Sequence, residues 1–261
     1  MTFAGPQYYD AYLGPAWFDA HAAELARRLP RQPSGDVLEI ACGTGLLTRH
    51  ARERLDPARR LVASDVSAPM LDYARNKLRE RKDIDWHEAD ASRLPFADAA
   101  FGAVICGFGV MFFPDRVAAL REARRVLMEN GLLLFNVWDR IEHHLPAAVN
   151  AQVMRSLIPT EAPGFEVPFQ MYETEGLRKL LKAAGFAEVR METKRFPIKD
   201  ADPRKIAIGQ VRGTHRSTLI EKAGIPLETA IDKVAQALAD AGGNPYNGHT
   251  TALYIEARPL S

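Results

Sequence analysis

The chain has 261 residues, a formal net charge of +1, 47% hydrophobic residues and two cysteines. A chain of this length buries about three quarters of its unfolded surface, enough for one large core or two smaller ones. The balanced charge argues against a nucleic-acid partner, and the longest weakly polar run, near 99–114, is too short to span a bilayer.

The amino-terminal residues carry Asp10 and no apolar core segment, so no signal peptide is expected. Phe18, Ala22, Leu25 and Leu29 recur at helical spacing and predict a helix over 16–29, ahead of the breakers Pro30 and Gly35. Alternating units follow. Strands are predicted near 36–41, 60–65, 84–89, 102–107 and 131–138, with helices near 45–54, 69–81 and 115–128, the last ended by Asn130-Gly131. That alternation predicts a parallel sheet with helices on both faces. Further on, 174–184 reads as a helix stopped by Gly185 and 186–195 as a strand. The stretch 226–241 places Ile231, Val234, Ala235 and Leu238 on one helical face, and 251–257 alternates as a final strand.

The chemistry-bearing signal is Val37-Leu-Glu-Ile-Ala-Cys-Gly-Thr-Gly45, a strand that breaks into a glycine loop and then a helix. Gly43 and Gly45 permit a sharp turn and let a ligand touch the main chain. Glu39 is unusual beside such a loop, because a phosphate-cradling turn favours neutral or positive surroundings. A carboxylate there suits a ligand bearing an amino group or hydroxyls. Two later strands also end near acids: Asp65, twenty residues past Gly45, and Asp90. Asp65 falls where a doubly wound sheet places a ribose-binding carboxylate. A dinucleotide reading of the loop fails. From Gly43 the third glycine position is Thr48, and from Ala41 the first glycine is missing and Leu46 stands last.

These segments, with Ala63-Ser-Asp-Val-Ser-Ala-Pro-Met-Leu71, Asp90-Ala-Ser-Arg-Leu-Pro-Phe96, Phe101-Gly-Ala-Val-Ile-Cys106 and Glu122-Ala-Arg-Arg-Val-Leu-Met-Glu-Asn-Gly131, resemble the class I S-adenosylmethionine-dependent methyltransferases. The similarity is to the methyltransferase type 11 group, which includes quinone C-methyltransferase-like enzymes, and it covers roughly 35–138. The family often has an acid where Gly102 stands. The resemblance implies a doubly wound, Rossmann-like α/β fold: a mostly parallel seven-stranded sheet with an antiparallel last strand and a helical lid. It implies S-adenosyl-L-methionine as cofactor. Glu39 and the backbone of Ala41, Cys42, Gly43 and Gly45 are then expected at the methionine part, and Asp65 with Val66 at the ribose. Met70, Asp90 and Ala91 are expected at the adenine, with Gly107 completing the set.

Residues 1–34 are expected to form the lid, and 35–261 the methyltransferase domain with acceptor-site insertions at 139–173 and 197–250. The candidate acceptor contacts are Tyr9, Tyr12, Trp138, His143 and His144. The first and second extra segments carry aromatic and apolar residues, which suits a small, partly apolar or aromatic acceptor. No metal is expected. The fourth strand ends without a carboxylate to pair with Asp139, as metal-dependent catechol-type enzymes require. It also lacks the Asn/Asp-Pro-Pro-aromatic motif of base and glutamine methyltransferases. The alternative to transfer is a binding protein or regulator that keeps the cofactor fold. Cys42 and Cys106, both at strand ends, fit a reduced, cytoplasmic setting.

Overall fold

The computed structural model describes residues 5–260, without the side chains of residues 161–163 and 188. Residues 1–4 of the expected lid, and Ser261, lie outside the described residues. Seven strands form one sheet: β1 (Asp36–Ile40), β2 (Leu61–Asp65), β3 (Ile84–Glu88), β4 (Phe101–Gly107), β5 (Leu127–Trp138), β6 (Phe186–Ala201) and β7 (Tyr246–Pro259). Their order is β3-β2-β1-β4-β5-β7-β6, so β1 sits centrally and the strand order reverses between β1 and β4. Strands β1 to β5 pair in parallel and β7 runs antiparallel to β5. The apolar runs of β2 and β4 are buried almost throughout, as expected of parallel strands covered on both faces.

The chain divides into two compact units. The sheet unit takes His21–Trp138, Met171–Lys194 and the chain from Ala252. Its helices include α2 (Asp19–Arg28, from His21 on), α3 (Leu46–Arg54), α4 (Ala68–Lys77), α5 (Arg116–Val126) and α7 (Thr174–Ala183). Asp115 caps α5 by accepting from the Ala118 N–H at 2.9 Å. The helical unit takes the chain up to Ala20, Asp139–Gln170 and Arg195–Thr251. It contains α1 (Pro6–Tyr8), a wider π-helical stretch Tyr9–Phe18, α6 (Leu145–Leu157), α8 (Pro203–Arg212), α9 (Arg216–Lys222) and α10 (Leu227–Gly242). Helix α8 packs on both α10 and the π-helical stretch. Gly209 makes that close approach possible: a β-carbon there would stand 2.9 Å from the Leu13 side chain and from Tyr12 Cβ. Among the described residues, no helix is long and apolar enough to cross a membrane.

Several element boundaries differ from the sequence-based expectation. Helix starts at Pro6 rather than near 16, so Tyr8, Tyr9 and Tyr12 are helical. Helices α6, α8 and α9 occupy segments in which no element was expected. Strand β5 begins at Leu127, and helix α5 stops at Val126. Leu127 pairs with Phe101, and the ladder resumes only at Ala103 with Leu132. Asn130-Gly131 therefore marks an irregularity inside the strand and not a helix end.

Gly102 shows why this chain has no acid at that position. A β-carbon there would lie 2.2 Å from the backbone nitrogen of Gly35, as the start of β4 passes the entry to β1. Gly102→Ala should cost about 1–3 kcal/mol of stability in urea unfolding, the usual range for overpacking, and Gly102→Asp should cost more. An alanine variant with the wild-type midpoint would mean that these backbones separate freely.

Candidate cofactor site

Every residue expected at the cofactor lies in the sheet unit, at or just beyond the carboxyl ends of β1 to β4. That edge of a doubly wound sheet, beside the reversal of strand order, is where such folds bind ligands. Strand β1 delivers Glu39, which is 1% exposed, and the chain then turns through Ala41 (φ 54°), Gly43 (φ 55°) and Gly45 (φ 77°) before α3 begins. Three left-handed residues in five turn the loop sharply, and its N–H groups are held within the protein: Cys42 donates to the Ser64 carbonyl, Gly43 to Asp65 and Gly45 to the Cys42 carbonyl. Ala41 adopts that conformation against the usual preference of a residue with a β-carbon. A β-carbon on Gly43 would meet nothing within 4 Å, so the space over the loop is open.

Asp65 ends β2 and binds two backbone groups. It accepts from Gly43 N–H and from Ser67 N–H, each at 2.8 Å. Burial raises its pKa, and those backbone donors oppose the rise. Val66 beside it is 68% exposed, an apolar side chain facing solvent, whereas Met70 on α4 is buried. Asp90 lies two residues past the end of β3, and one of its oxygens accepts from the Ser92 N–H and hydroxyl, both at 2.8 Å. Those two bonds hold its pKa below the ordinary carboxylate range. Ala91 is buried next to it. Arg125 steadies this loop by donating to the Leu94 and Phe96 carbonyls while paired with Glu122.

Beyond β4 the chain makes another strained turn. Phe108, with φ 56°, donates its N–H to Asn136 Oδ1 at 3.0 Å. Gly109 follows, and a β-carbon on it would stand 2.6 Å from Ala41 Cβ and 2.7 Å from Cys106 Sγ. The two loops thus touch, with half-buried Gly107 at the end of β4. Asn136 was not singled out from sequence, although it is the one polar side chain in the β5 run Leu132–Trp138 and therefore needs a partner. Cys42 and Cys106 are buried free thiols. Burial pushes Cys106 up to about 12 and Cys42 well above its ordinary value.

The candidate acceptor residues are divided between the two units. Trp138, in the sheet unit, stacks on Phe108 at 3.9 Å between ring centres, with His21 edge-on to both. Burial holds His21 neutral, its pKa lowered to about 3, and its Nδ1 lies 2.6 Å from the Tyr254 hydroxyl. The other four belong to the helical unit. Tyr9 stacks on Phe18 and Tyr12 on Tyr8. The tandem histidines part company: His143 is half-exposed with its Nδ1 2.7 Å from Asp139 Oδ2, while His144 is fully buried between Trp17 and Phe169.

One group in the site is plainly uncompensated. Glu39 Oε2 is buried and makes no hydrogen bond within the protein. Burial pushes the Glu39 pKa up to about 8, the Thr48 hydroxyl opposing and the Asp65 charge adding to the rise. A carboxyl whose folded pKa is raised stabilises the fold fully below its unfolded value, about 4.5, and that stability is lost as pH rises through about 8. Glu39→Gln should therefore melt with the wild type near pH 5 and increasingly above it toward pH 9. Parallel melting curves for the two proteins across that range would show that Glu39 titrates as an ordinary carboxyl.

A sequence profile described as a methyltransferase domain matches residues 38–135. The demethylmenaquinone methyltransferase of Deinococcus radiodurans is 34% identical over 184 residues, covering 65% of this chain and 73% of that protein. The ubiquinone/menaquinone biosynthesis C-methyltransferase of Shewanella frigidimarina is 30% identical over 183 residues, covering 65% and 72%. Among solved structures, phosphoethanolamine N-methyltransferase 2 of Haemonchus contortus, bound to phosphomonomethylethanolamine and S-adenosylhomocysteine, shares the fold. Its TM-score is 0.63 at 16% identity, over 99% of this chain and 58% of that one. These relatives are transferases, which favours transfer over a protein that keeps the fold only to bind. These matches, on a chain whose sheet carries a glycine loop beside a buried carboxyl, place it among the class I S-adenosylmethionine-dependent methyltransferases, in the methyltransferase type 11 group.

Proposed function

We propose that this enzyme methylates a small, partly apolar or aromatic acceptor by direct displacement, without a metal ion. The observation that carries the reading is Glu39 Oε2, buried and unbonded under an open glycine loop. It suits a cationic amino group, because a charge-assisted bond to that oxygen offsets the carboxylate's burial. When bound, S-adenosylmethionine supplies a methyl group activated by its sulfonium.

The chain's own residues do the rest. Glu39 and the backbone at Ala41, Cys42, Gly43 and Gly45 bind the methionine end. Asp65 keeps lone pairs for the ribose hydroxyls beyond those it gives to Gly43 and Ser67. Val66 and Met70 flank the adenine, Asp90 and the Ala91 N–H read its edge, and Gly107 keeps the end of β4 slim. Holding acceptor, methyl carbon and sulfur in line supplies several kcal/mol of the barrier, roughly as measured for oriented intramolecular reactions.

For the acceptor, the stacked pair Phe108 and Trp138 follows the ends of β4 and β5 and suits a planar ring. The Deinococcus relative is named for demethylmenaquinone, which makes a quinol ring the first acceptor to try. Net charge near zero supports a small molecule over nucleic acid, and two buried free thiols support a reduced, cytoplasmic setting.

The direct experiment incubates the protein with methyl-labelled cofactor and a panel of quinols, phenols, amines and thiols. Label should appear in a quinol or phenol; transfer confined to amines or thiols would overturn the ring-acceptor reading. Asp65→Ala removes charge-assisted bonds worth roughly 1.5–3 kcal/mol each. By calorimetry it should weaken S-adenosylhomocysteine binding by about tenfold or more while the circular dichroism spectrum is kept. Unchanged affinity would return Asp65 to a purely structural role.

A further inference from the structure

Among its described residues, the helical unit buries an arginine with no acid to meet it. Arg216, in the first turn of α9, is 9% exposed. Its Nη2 reaches the Phe165 carbonyl at 3.4 Å, near the outer limit of a hydrogen bond, and its guanidinium stands 5.6 Å from the centre of the Phe165 ring. Its Nε is buried and donates to nothing. Among the described residues, no carboxylate makes an ion pair with it. Burial lowers its pKa to about 10, which leaves it charged at neutral pH.

A second buried arginine shows what a purely structural role looks like here. Arg52, 3% exposed, donates to the carbonyls of Leu55, Asp56 and Arg59, and its Nε pairs with Asp83 at 3.2 Å. Its fork is used by the protein itself, whereas that of Arg216 is left largely unspent. The backbone under Arg216 is nonetheless firmly set. Its N–H donates to Thr214 Oγ1, and the Thr214 hydroxyl donates to the Gln210 carbonyl at 2.7 Å. The Gln210 side chain in turn accepts from Asn150 and donates to the Pro146 carbonyl. Asn150 Oδ1 is also buried without a partner.

A buried, uncompensated charge on a fixed backbone is costly unless a ligand of opposite sign completes it. A guanidinium fork matches the oxygens of a carboxylate or phosphate two at a time. We propose that Arg216, beside the Phe165 ring, is a binding site for the oxyanion of a small aromatic or apolar molecule, a carboxylate or a phosphate monoester. Every residue it uses belongs to the helical unit and its test needs no methyl transfer, so it stands or falls separately from the cofactor reading.

The test titrates benzoate, phenyl phosphate and neutral benzamide into the full chain by calorimetry. At least one anion should bind the wild type, and benzamide should bind about tenfold more weakly or not at all. The benzoate and phenyl phosphate arms distinguish carboxylate from phosphate. Arg216→Met should lose about tenfold or more of the anion affinity and melt no lower than the wild type, since it removes an unpaired buried charge. Should that variant not fold, Arg216→Lys carries the test: it keeps the charge, loses the fork and should bind the anion severalfold more weakly. The proposal is overturned if neither anion binds, if benzamide matches benzoate, or if whichever folded variant is used keeps wild-type affinity.

Discussion

One carboxylate fastens the cofactor edge of the sheet. Asp65 accepts from the loop after β1 and from the entry to α4, so two elements close on a single group. The left-handed turns at Ala41 and Gly43 are held from that side, since Gly43 N–H is one of its donors. Ala41 then fixes how near the loop after β4 can come, because only a glycine at 109 fits against its β-carbon. That second loop is pinned from β5 by Asn136 through the strained Phe108 amide. Four parallel strands, β2, β1, β4 and β5, and their connections are therefore set by a short series of contacts at one edge. The apolar interior behind them supplies most of the stability, being non-directional, but cannot supply this precision.

The sheet was legible because parallel strands covered on both faces read as apolar runs, unbroken in β4, interrupted by Glu39 in β1 and closed by Ser64-Asp65 in β2. The glycine loop and Asp65 were legible because their spacing follows from where a doubly wound sheet ends its strands. Asn136 could have been found, since a lone amide in Leu132–Trp138 must bond to something, but nothing in its neighbourhood named the partner twenty-eight residues away. The start of β5 was misread because Asn130-Gly131 is a strong local turn signal, and only the pairing of Leu127 with Phe101 carries the strand across it. His143 and His144 are chemically identical in sequence. Local backbone geometry alone sends one toward Asp139 and the other between two aromatic rings.

The helical unit was the least legible part, for a physical reason. Its interior includes His144, Asn150, Gln210, Arg216 and Ser217, all buried, so the periodic apolar stripe that announces a helix is diluted. Its packing also turns on small residues, notably Gly209 against Leu13 and Tyr12, which a periodicity argument scores as helix-breaking. The sheet unit is specified by pattern and the helical unit by particular contacts. The profile that matches this chain ends at residue 135, inside β5.

The two buried thiols acquire a meaning from the chemistry carried out nearby. A sulfonium methyl donor is an alkylating agent, and a thiolate is the strongest nucleophile a protein ordinarily offers it. Cys42 lies within the glycine loop itself and Cys106 on the adjoining strand, yet burial keeps both protonated far above neutral pH. An enzyme that stores an activated methyl group must not spend it on its own side chains. Here the same dry packing that lets Gly109 sit against Ala41 and Cys106 keeps both sulfurs in the thiol form, the weaker nucleophile.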